Sequence, residues 1–291
     1  VLYDAHVHLQ PHGEKPPVNR ERIDLYVEAA LARGLDGLVI TEHLFRFQEA
    51  FDLLAGWWDA DPNPQLAAAT AAYWRDHANL TLPEYVALIE RAKAEGLPVR
   101  LGLEMDYIPG RADDLRRLLA PYAWDLVLGS VHWIGAFGID EDDFLSEWDR
   151  RDVDAIHAEY GDLLVELAGS GLVDVLAHSD LPKLWGRRAS DPSLLEGRIL
   201  HAAQRGGLAL ELNTNGWNKP VGEQYPSEAL LRAAAACGVP ISLASDAHRP
   251  ERLGENFDRA VALARASGHG GYVRFEQRQR VAEPFETDEI S

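Results

Sequence analysis

Eleven histidines stand in this chain of 291 residues, and their spacing is ordered. Near the N-terminus an apolar run delivers His6 and His8; near the C-terminus the run 241–244 delivers Asp246 and His248. Side chains alternate along an extended chain, so His6 and His8 share one side, as do Asp246 and His248. Imidazoles and a carboxylate at strand ends are enough to begin a divalent-metal site. The same pattern recurs in between, where His43, Glu104, His132 and His178 each stand at or just past the end of a short apolar run. His12 follows in the loop after the first run. His6, His8, His12, His43, Glu104, His132, His178, Asp246 and His248 are too many donors for one zinc, which takes four. They suit two or three divalent ions with room for water and a substrate. No cysteine is among them, which disfavours a thiolate site, and imidazole–carboxylate sets accept zinc, iron or manganese.

Such donors converge only if the runs that carry them are neighbouring strands. After the first strand, residues 20–33 show helical spacing of Ile23, Val27, Ala30 and Leu31, and Gly34 stands where a C-terminal glycine stops a helix. Strands at 38–40, 99–103, 126–129, 173–177, 208–212 and 241–244 alternate with helices at 82–95, 112–119, 152–169, 194–204, 227–237 and 257–267. Pro83 opens and Gly96 closes the helix at 82–95. Sequential βα units imply a parallel sheet. Seven in a row with ligands always at the C-terminal strand end predict an α/β fold, a closed or nearly closed (β/α)7 barrel of the TIM type with its metal centre on that face. One domain over residues 1–280 follows, with an acidic, mobile tail at 281–291. Residues 45–80 break the rhythm and are expected to form an insertion or lid over the active face.

Composition narrows the function. Lys+Arg number 28 against Asp+Glu 47, a net charge of -19, which argues against a nucleic-acid or anionic-membrane surface. A small anionic substrate stays compatible, because bound cations reverse the local field. The lone Cys237 excludes an internal disulfide, suits a reducing cytoplasm, and reads as a small buried core residue after the alanines 233–236. No signal peptide or apolar run near ~18 residues is read. His77, His157, His201 and His269 lie in the insertion, in helices or in the C-terminal loop, and are expected to serve packing or surface.

His6-Val7-His8, Thr41-Glu42-His43, Gly102-Leu103-Glu104, Ser130-Val131-His132, Ala177-His178-Ser179-Asp180 and Ser245-Asp246-Ala247-His248, in this order, resemble the motifs of the polymerase-and-histidinol-phosphatase (PHP) superfamily. Pro11-His12-Gly13, His178-x-Asp180-Leu181-x-Lys183, Asn213-Thr214-x-Gly216 and Tyr225-Pro226-Ser227 resemble its histidinol-phosphate phosphatases most. The resemblance spans residues 2–265. It implies a distorted (β/α)7 barrel with a trinuclear centre: His6, His8, Glu104 and Asp246 on one ion, Glu104 bridging to a second held by His132 and His178, and His12, His43 and His248 on a third. Asn218 follows Trp217 where these phosphatases often carry a basic residue; Lys183, Lys219 and Arg249 could supply the charge.

The chemistry expected of such a site is phosphate-monoester hydrolysis, with L-histidinol phosphate the leading substrate. Cations neutralise the dianion and lower the pKa of a water toward ~7, so that a hydroxide bridging two ions attacks phosphorus. Glu104 and Asp246 hold the ions, and Asp180 could protonate the departing alkoxide. Other readings on the same barrel are a phosphoesterase for another small ester and a hydrolase of C–N or C–O bonds. An exonuclease is disfavoured by the charge. For the substrate's ammonium and ring, the insertion offers Trp57, Trp58, Tyr73 and Trp74, with Glu49, Asp52, Asp59 and Asp61; the same aromatics could instead be its own small core.

Overall fold

The structure, a computed structural model, describes residues 1–285. Seven parallel strands form the sheet, in the order β1 (Tyr3–Val7), β2 (Gly37–Ile40), β3 (Val99–Asp106), β4 (Leu126–Ser130), β7 (Val175–Leu176), β8 (Ala209–Asn213) and β9 (Ile241–Ala244). Between β4 and β7 stands a small hairpin, β5 (Trp133–Ile134) and β6 (Phe137–Gly138). β1 and β9 meet through one parallel bridge, Val7 to Ala247, with His8 N donating to Ala247 O at 2.8 Å. The barrel is therefore nearly closed, and the predicted (β/α)7 architecture is what the chain adopts.

Helices α1 (Arg20–Ala32), α4 (Leu82–Ala94), α5 (Ala112–Leu119), α7 (Val153–Gly169), α8 (Pro192–Gly206), α9 (Glu228–Ala236) and α10 (Phe257–Ala266) cover the sheet. Side chains that accept from the first-turn amides start several of them: Asn19 from Arg22, Asp152 from Ala155, Asp191 from Ser193 and Ser227 from Leu230. The insertion holds α2 (Gln48–Leu54) and α3 (Pro64–His77), and a short α6 (Leu145–Trp148) precedes α7. Among the described residues no helix is long and apolar enough to cross a membrane.

Period-two alternation sorts the strand side chains. In β3, Val99, Leu101, Leu103 and Met105 join the large core beneath the helices, while Gly102, Glu104 and Asp106 take the other side. A β-carbon on Gly102 would stand 2.6 Å from Thr41 Cγ2, so glycine lets β2 and β3 close. A separate small core holds Ala5, Val39, Leu126, Leu128, Val175, Ala177 and Ala209, together with Val273 and Phe275. Ala5 lies in this inner core while His6 and His8 also turn inward. The register shift between Asp4 and Val7 accounts for the change of side.

Val273 and Phe275 come from a feature that the sequence reading places elsewhere. Residues 281–284, expected to begin a tail, pair instead as β11 (Gln279–Pro284) against β10 (Gly271–Glu276). The hairpin turns at Gln277 and Arg278, both with positive φ (48° and 61°) and neither a glycine, so the usual turn signal is missing. Arg278 Nε reaches Asp174 at 3.1 Å and its amide donates to Asp125 O at 2.9 Å; both aspartates sit just ahead of a strand, at the end opposite the ligands. The hairpin plugs the barrel floor. The last part of the expected tail, residues 286–291, lies outside the described residues. Cys237 is also corrected: it is exposed, because it caps the C-terminus of α9 and its side chain leaves the helix toward solvent.

Phe275, 5% exposed, should be the plug's main apolar contact. Phe275→Ala should lower unfolding free energy by on the order of 3 kcal/mol, a fall in Tm of roughly 6–10 °C for a domain of this size. Thermal melts of the metal-free protein measure it. A loss below about 1 kcal/mol would show that the hairpin does not seal the barrel.

Candidate metal centre

Glu104 stands at the middle of the site, wholly buried. Its Oε2 lies 2.6 Å from His43 Nδ1, 3.2 Å from His6 Nε2 and 3.4 Å from His8 Nε2. Its Oε1 lies 2.9 Å from His178 Nε2 and 3.2 Å from His132 Nε2, and accepts from Ser130 Oγ at 2.6 Å. Asp246 Oδ1 is 3.6 Å from His8 Nε2 and 3.8 Å from His6 Nε2. His248 turns its Nε2 to His43 Nε2 at 3.4 Å. Donors from β1, β3, β4 and the turns after β2, β7 and β9 thus meet at one barrel mouth.

Buried acids behind the ligands set their tautomers. His6 Nδ1 donates to Glu211 Oε1 at 2.6 Å, and His132 Nδ1 to Asp106 Oδ1 at 2.7 Å. In the neutral imidazole each then presents a lone pair at Nε2. Those lone pairs face the carboxylate oxygens of Glu104, at 3.2 Å in each case, with His8 Nε2 2.9 Å from His6 Nε2 and His178 Nε2 3.4 Å from His132 Nε2. Acceptor against acceptor is repulsive unless a cation lies between. His8 Nδ1 is also buried without a hydrogen-bond partner among the described residues. The donor set fits divalent ions.

Without a cation the same pressure draws protons. Burial opposes a charge on His6, but Glu211, Glu104 and Asp246 outweigh it and raise its pKa well above the usual imidazole range. For His132, burial is likewise outweighed by Asp140, Glu104 and Asp106, and its pKa is raised. Burial would push Glu104 up, yet His43, His6 and His132 hold it well below the usual carboxylate range.

Two of the candidate ligands sit in strained backbone. His178 (φ 26°) and Asp246 (φ 52°) lie in the left-handed region that side chains other than glycine seldom adopt. Glu211 Oε2 accepts from the amide of His178 at 2.7 Å, so one carboxylate both orients His6 and holds the turn that presents His178. Glu42 does similar work for the loop after β1, accepting from Leu9 N at 2.5 Å and Gln10 N at 3.1 Å. The buried Arg46 ties that loop further through Gln10 Oε1 at 2.8 Å.

A family model described as the PHP domain matches residues 19–215. The chain is 38% identical over 281 residues to a probable histidinol-phosphatase of Deinococcus radiodurans, covering 96% of this chain and 98% of that protein. The chain belongs to the PHP family. It is also 25% identical to the histidinol-phosphatase of Bacillus subtilis over 88% of this chain and 96% of that protein. Among solved structures, the histidinol phosphate phosphatase of Lactococcus lactis, complexed with zinc, L-histidinol and phosphate, superposes with a TM-score of 0.69 at 22% identity. That match covers 96% of this chain and 98% of the other.

Against the PHP ligand set, eight of the nine predicted donors converge as expected. Among the described residues, three groups of three have ligand atoms within 4.8 Å of one another: His6, His8 and Asp246; His43, Glu104 and His132; His8, His43 and His248. None takes in His12. It is exposed and reaches the cluster by stacking its ring on His248, with centroids 4.2 Å apart. Glu211, Asp106 and Glu42 were not assigned a role from sequence. Period two could have found the first two, since Asp106 follows Glu104 by two residues, and Glu211 is a lone charge in the apolar run of β8.

The predicted cations divide. Lys183 is 4% exposed, and its ammonium is held by Asp180 Oδ2 at 2.8 Å and Gln224 O at 2.7 Å, with Glu223 Oε1 at 3.6 Å. Lys183 is therefore a buried ion-pair partner rather than a free phosphate cation. Asp180, which also accepts from Ser227 N at 2.8 Å, is fixed in the same knot. Lys219 and Arg249 instead line a cleft of ≈ 390 Å³ with His12, Asn215, Asp246, His248 and Arg252, and Arg249 pairs with the exposed Glu14.

The insertion's tryptophans are committed to packing. Trp58 and Trp74 are buried, and Trp57, Trp58 and Trp74 contact one another, with Trp57 and Trp74 also meeting Trp133. Asp61 accepts from Ala136 N at 2.9 Å and Glu49 from Leu82 N at 2.9 Å; Asp52 and Asp59 are exposed. One aromatic path does reach the ligands. Phe45 stacks on His43 at 4.6 Å and meets Tyr73, whose hydroxyl donates to Glu141 Oε1 at 2.5 Å. Burial first and Asp140 second push Glu141 up to about 7. Of the bystander histidines, His201 is exposed, while His157 and His269 are buried and bond to Arg187 O (2.8 Å) and Leu231 O (3.1 Å).

Two outcomes follow from this geometry. Glu104→Gln and His248→Ala should cost turnover by orders of magnitude and release metal, Glu211→Gln should weaken metal affinity roughly 10–100-fold, and His201→Ala should stay at wild type; metal analysis beside steady-state rates decides. In the metal-free protein the raised Glu141 favours folding below pH ~4.5, and that contribution disappears as pH rises through about 7. Glu141→Gln should therefore leave stability unchanged relative to wild type near pH 4 and gain roughly 2 kcal/mol on it by pH 8. A difference that does not vary with pH would refute the raised carboxyl.

Proposed function

We propose that this chain is a metal-dependent phosphomonoesterase whose substrate is L-histidinol phosphate, releasing L-histidinol and phosphate in histidine biosynthesis. The observation that carries the reading is the Glu104 cluster. Its imidazole lone pairs are locked by Glu211 and Asp106 toward shared carboxylate oxygens, in a chain aligned end to end with a probable histidinol-phosphatase. His6, His8, Glu104 and Asp246 would hold one ion. Glu104, His132 and His178 would hold a second; His43 and His248, with His12 drawn in from the rim, would hold a third. Zinc, iron and manganese all suit these donors. Such ions supply charge neutralisation at phosphorus and a nucleophilic water at neutral pH.

The chain's own residues do the rest. Glu104 keeps its proton off and so offers both oxygens to the cations. Glu211 and Asp106 hold the imidazoles in one tautomer and one orientation, so little reorganisation is needed when charge develops. Lys219 and Arg249 at the cleft attract the dianion in a chain that is otherwise strongly acidic. Phe45 and Tyr73 of the insertion, with Glu141 from the segment after β6, form a wall fit for the ring and ammonium of the alcohol. Asp180 serves by fixing Lys183, and we assign it no proton transfer.

The test is phosphate release by metal-loaded protein from L-histidinol phosphate, an aryl phosphate and 5′-nucleotides, beside nucleotide release from single-stranded DNA. The expected result is a kcat/KM for histidinol phosphate at least ~100-fold above the others, abolished by a chelator and restored by zinc, iron or manganese. Equal rates across the panel would remove the substrate assignment, and release of nucleotides without phosphate would remove the phosphatase.

A further inference from the structure

Tyr225 is 2% exposed, and its hydroxyl is buried without a hydrogen-bond partner among the described residues. A buried phenol in that state is costly, and phenylalanine would fill the same space without the cost. The residue is nevertheless held firmly in place. Its backbone pairs with Asn213 in both directions, at 2.7 and 3.0 Å, just above β8. Asn213 Nδ2 in turn reaches Glu211 at 3.0 Å and Asp246 at 3.4 Å. The Tyr225 ring meets the His178 ring edge-on at 6.3 Å, and Lys183 Nζ lies 5.1 Å from its centroid. Gly216 makes room for it: a β-carbon there would stand 2.1 Å from Glu223 O and 2.9 Å from Tyr225 Cε2.

The hydroxyl is thus built into the ligand side of the site and left with nothing to bond. A donor in such surroundings wants an acceptor brought by the ligand. We propose that the Tyr225 hydroxyl is a hydrogen-bond donor to the phosphate group of the substrate, beside the metal ligands His178 and Asp246. The phosphate end is favoured over the alcohol end because Tyr225 is held against the candidate ligand His178 and paired with Asn213, which reaches Asp246, whereas Phe45 and Tyr73 of the other wall come from the insertion. The proposal rests on the phosphatase reading.

Tyr225→Phe in the metal-loaded enzyme separates this role from a packing role. Metal content should be unchanged and Tm unchanged or raised, because the substitution removes an unmet donor. kcat/KM for histidinol phosphate should fall ~10–100-fold, and the Ki of inorganic phosphate should rise ~10-fold while that of L-histidinol stays constant. A variant with wild-type kcat/KM and phosphate Ki overturns the proposal. So does a rise in the Ki of L-histidinol alone, or a fall in Tm with equal loss of affinity for both products. Gly216→Ala gives a second measurement should the first variant not fold: displacing the ring should weaken phosphate binding more than histidinol binding, and the reverse order refutes the placement. A wild-type enzyme that releases no phosphate would sink the phosphatase reading itself, which is a different failure from an active wild type with a silent Tyr225→Phe.

Discussion

The structure depends on one buried anion. Glu104 has no access to solvent, yet both its oxygens lie within 3.4 Å of imidazole nitrogens from five separate histidines. A carboxylate taken out of water is strongly disfavoured unless positive charge and hydrogen bonds replace the lost hydration. Here the replacement comes from β1, β4 and the turns after β2 and β7, so their positions are coupled through a single side chain. The tautomers set by Glu211 and Asp106 mean that neutral imidazoles cannot fully satisfy it. That residual mismatch is what makes the site a receptor for cations, and it explains why His6 and His132 hold protons so strongly in their absence.

The rest of the barrel can be understood as support for that cluster. Parallel strands buried on both faces supply rigid ends, and the register shift in β1 turns His6 and His8 inward beside an inner core of small and medium side chains. At the floor, the β10–β11 hairpin fills the lumen with Val273 and Phe275 and is pinned by Asp125 and Asp174. At the mouth, two candidate ligands sit in strained backbone, and the turn at His178 is held by its amide donating to the buried Glu211 rather than relieved by glycine. The stable end and the reactive end are thus separated along the barrel axis.

Charge is distributed to match. The chain is strongly acidic, and the cations nearest the ligands are few: Lys219, Arg249 and Arg252 around the cleft beside His12 and His248. Lys183 is close in sequence to His178, but Asp180 and the carbonyl of Gln224 take its hydrogens, so it stiffens the loop that carries Tyr225 instead of meeting substrate. Tyr225 and the Tyr73–Glu141 pair differ in the same respect. The first is a donor left open beside His178; the second is a closed donor–acceptor pair between the insertion and the segment after β6, whose acid is poised near neutrality.

The amino-acid sequence by itself determined the barrel and the face on which the candidate ligands gather. Apolar runs alternating with helical periods placed seven strands within a few residues, and a histidine or carboxylate at the ends of six of the seven runs marked the active face, because both signals are local and periodic. Glu211 and Asp106 carried the same period-two signal, but the strands' extent, and hence which acids face inward, was settled only when β3 ran on to Asp106. What tertiary structure alone decided is pairing. Lys183 reads as a free cation until Asp180 closes on it; the tryptophans 57, 58 and 74 read equally as a binding surface or as a small core, and Trp133 decides for the core. His12 reads as a ligand, and its loop places it at the rim of the cluster, stacked on His248. Residues 281–284 read as a tail until β10 offers an edge. Composition records that such groups exist, whereas their availability depends on which partner reaches them first across the fold, and nothing local in the chain encodes that.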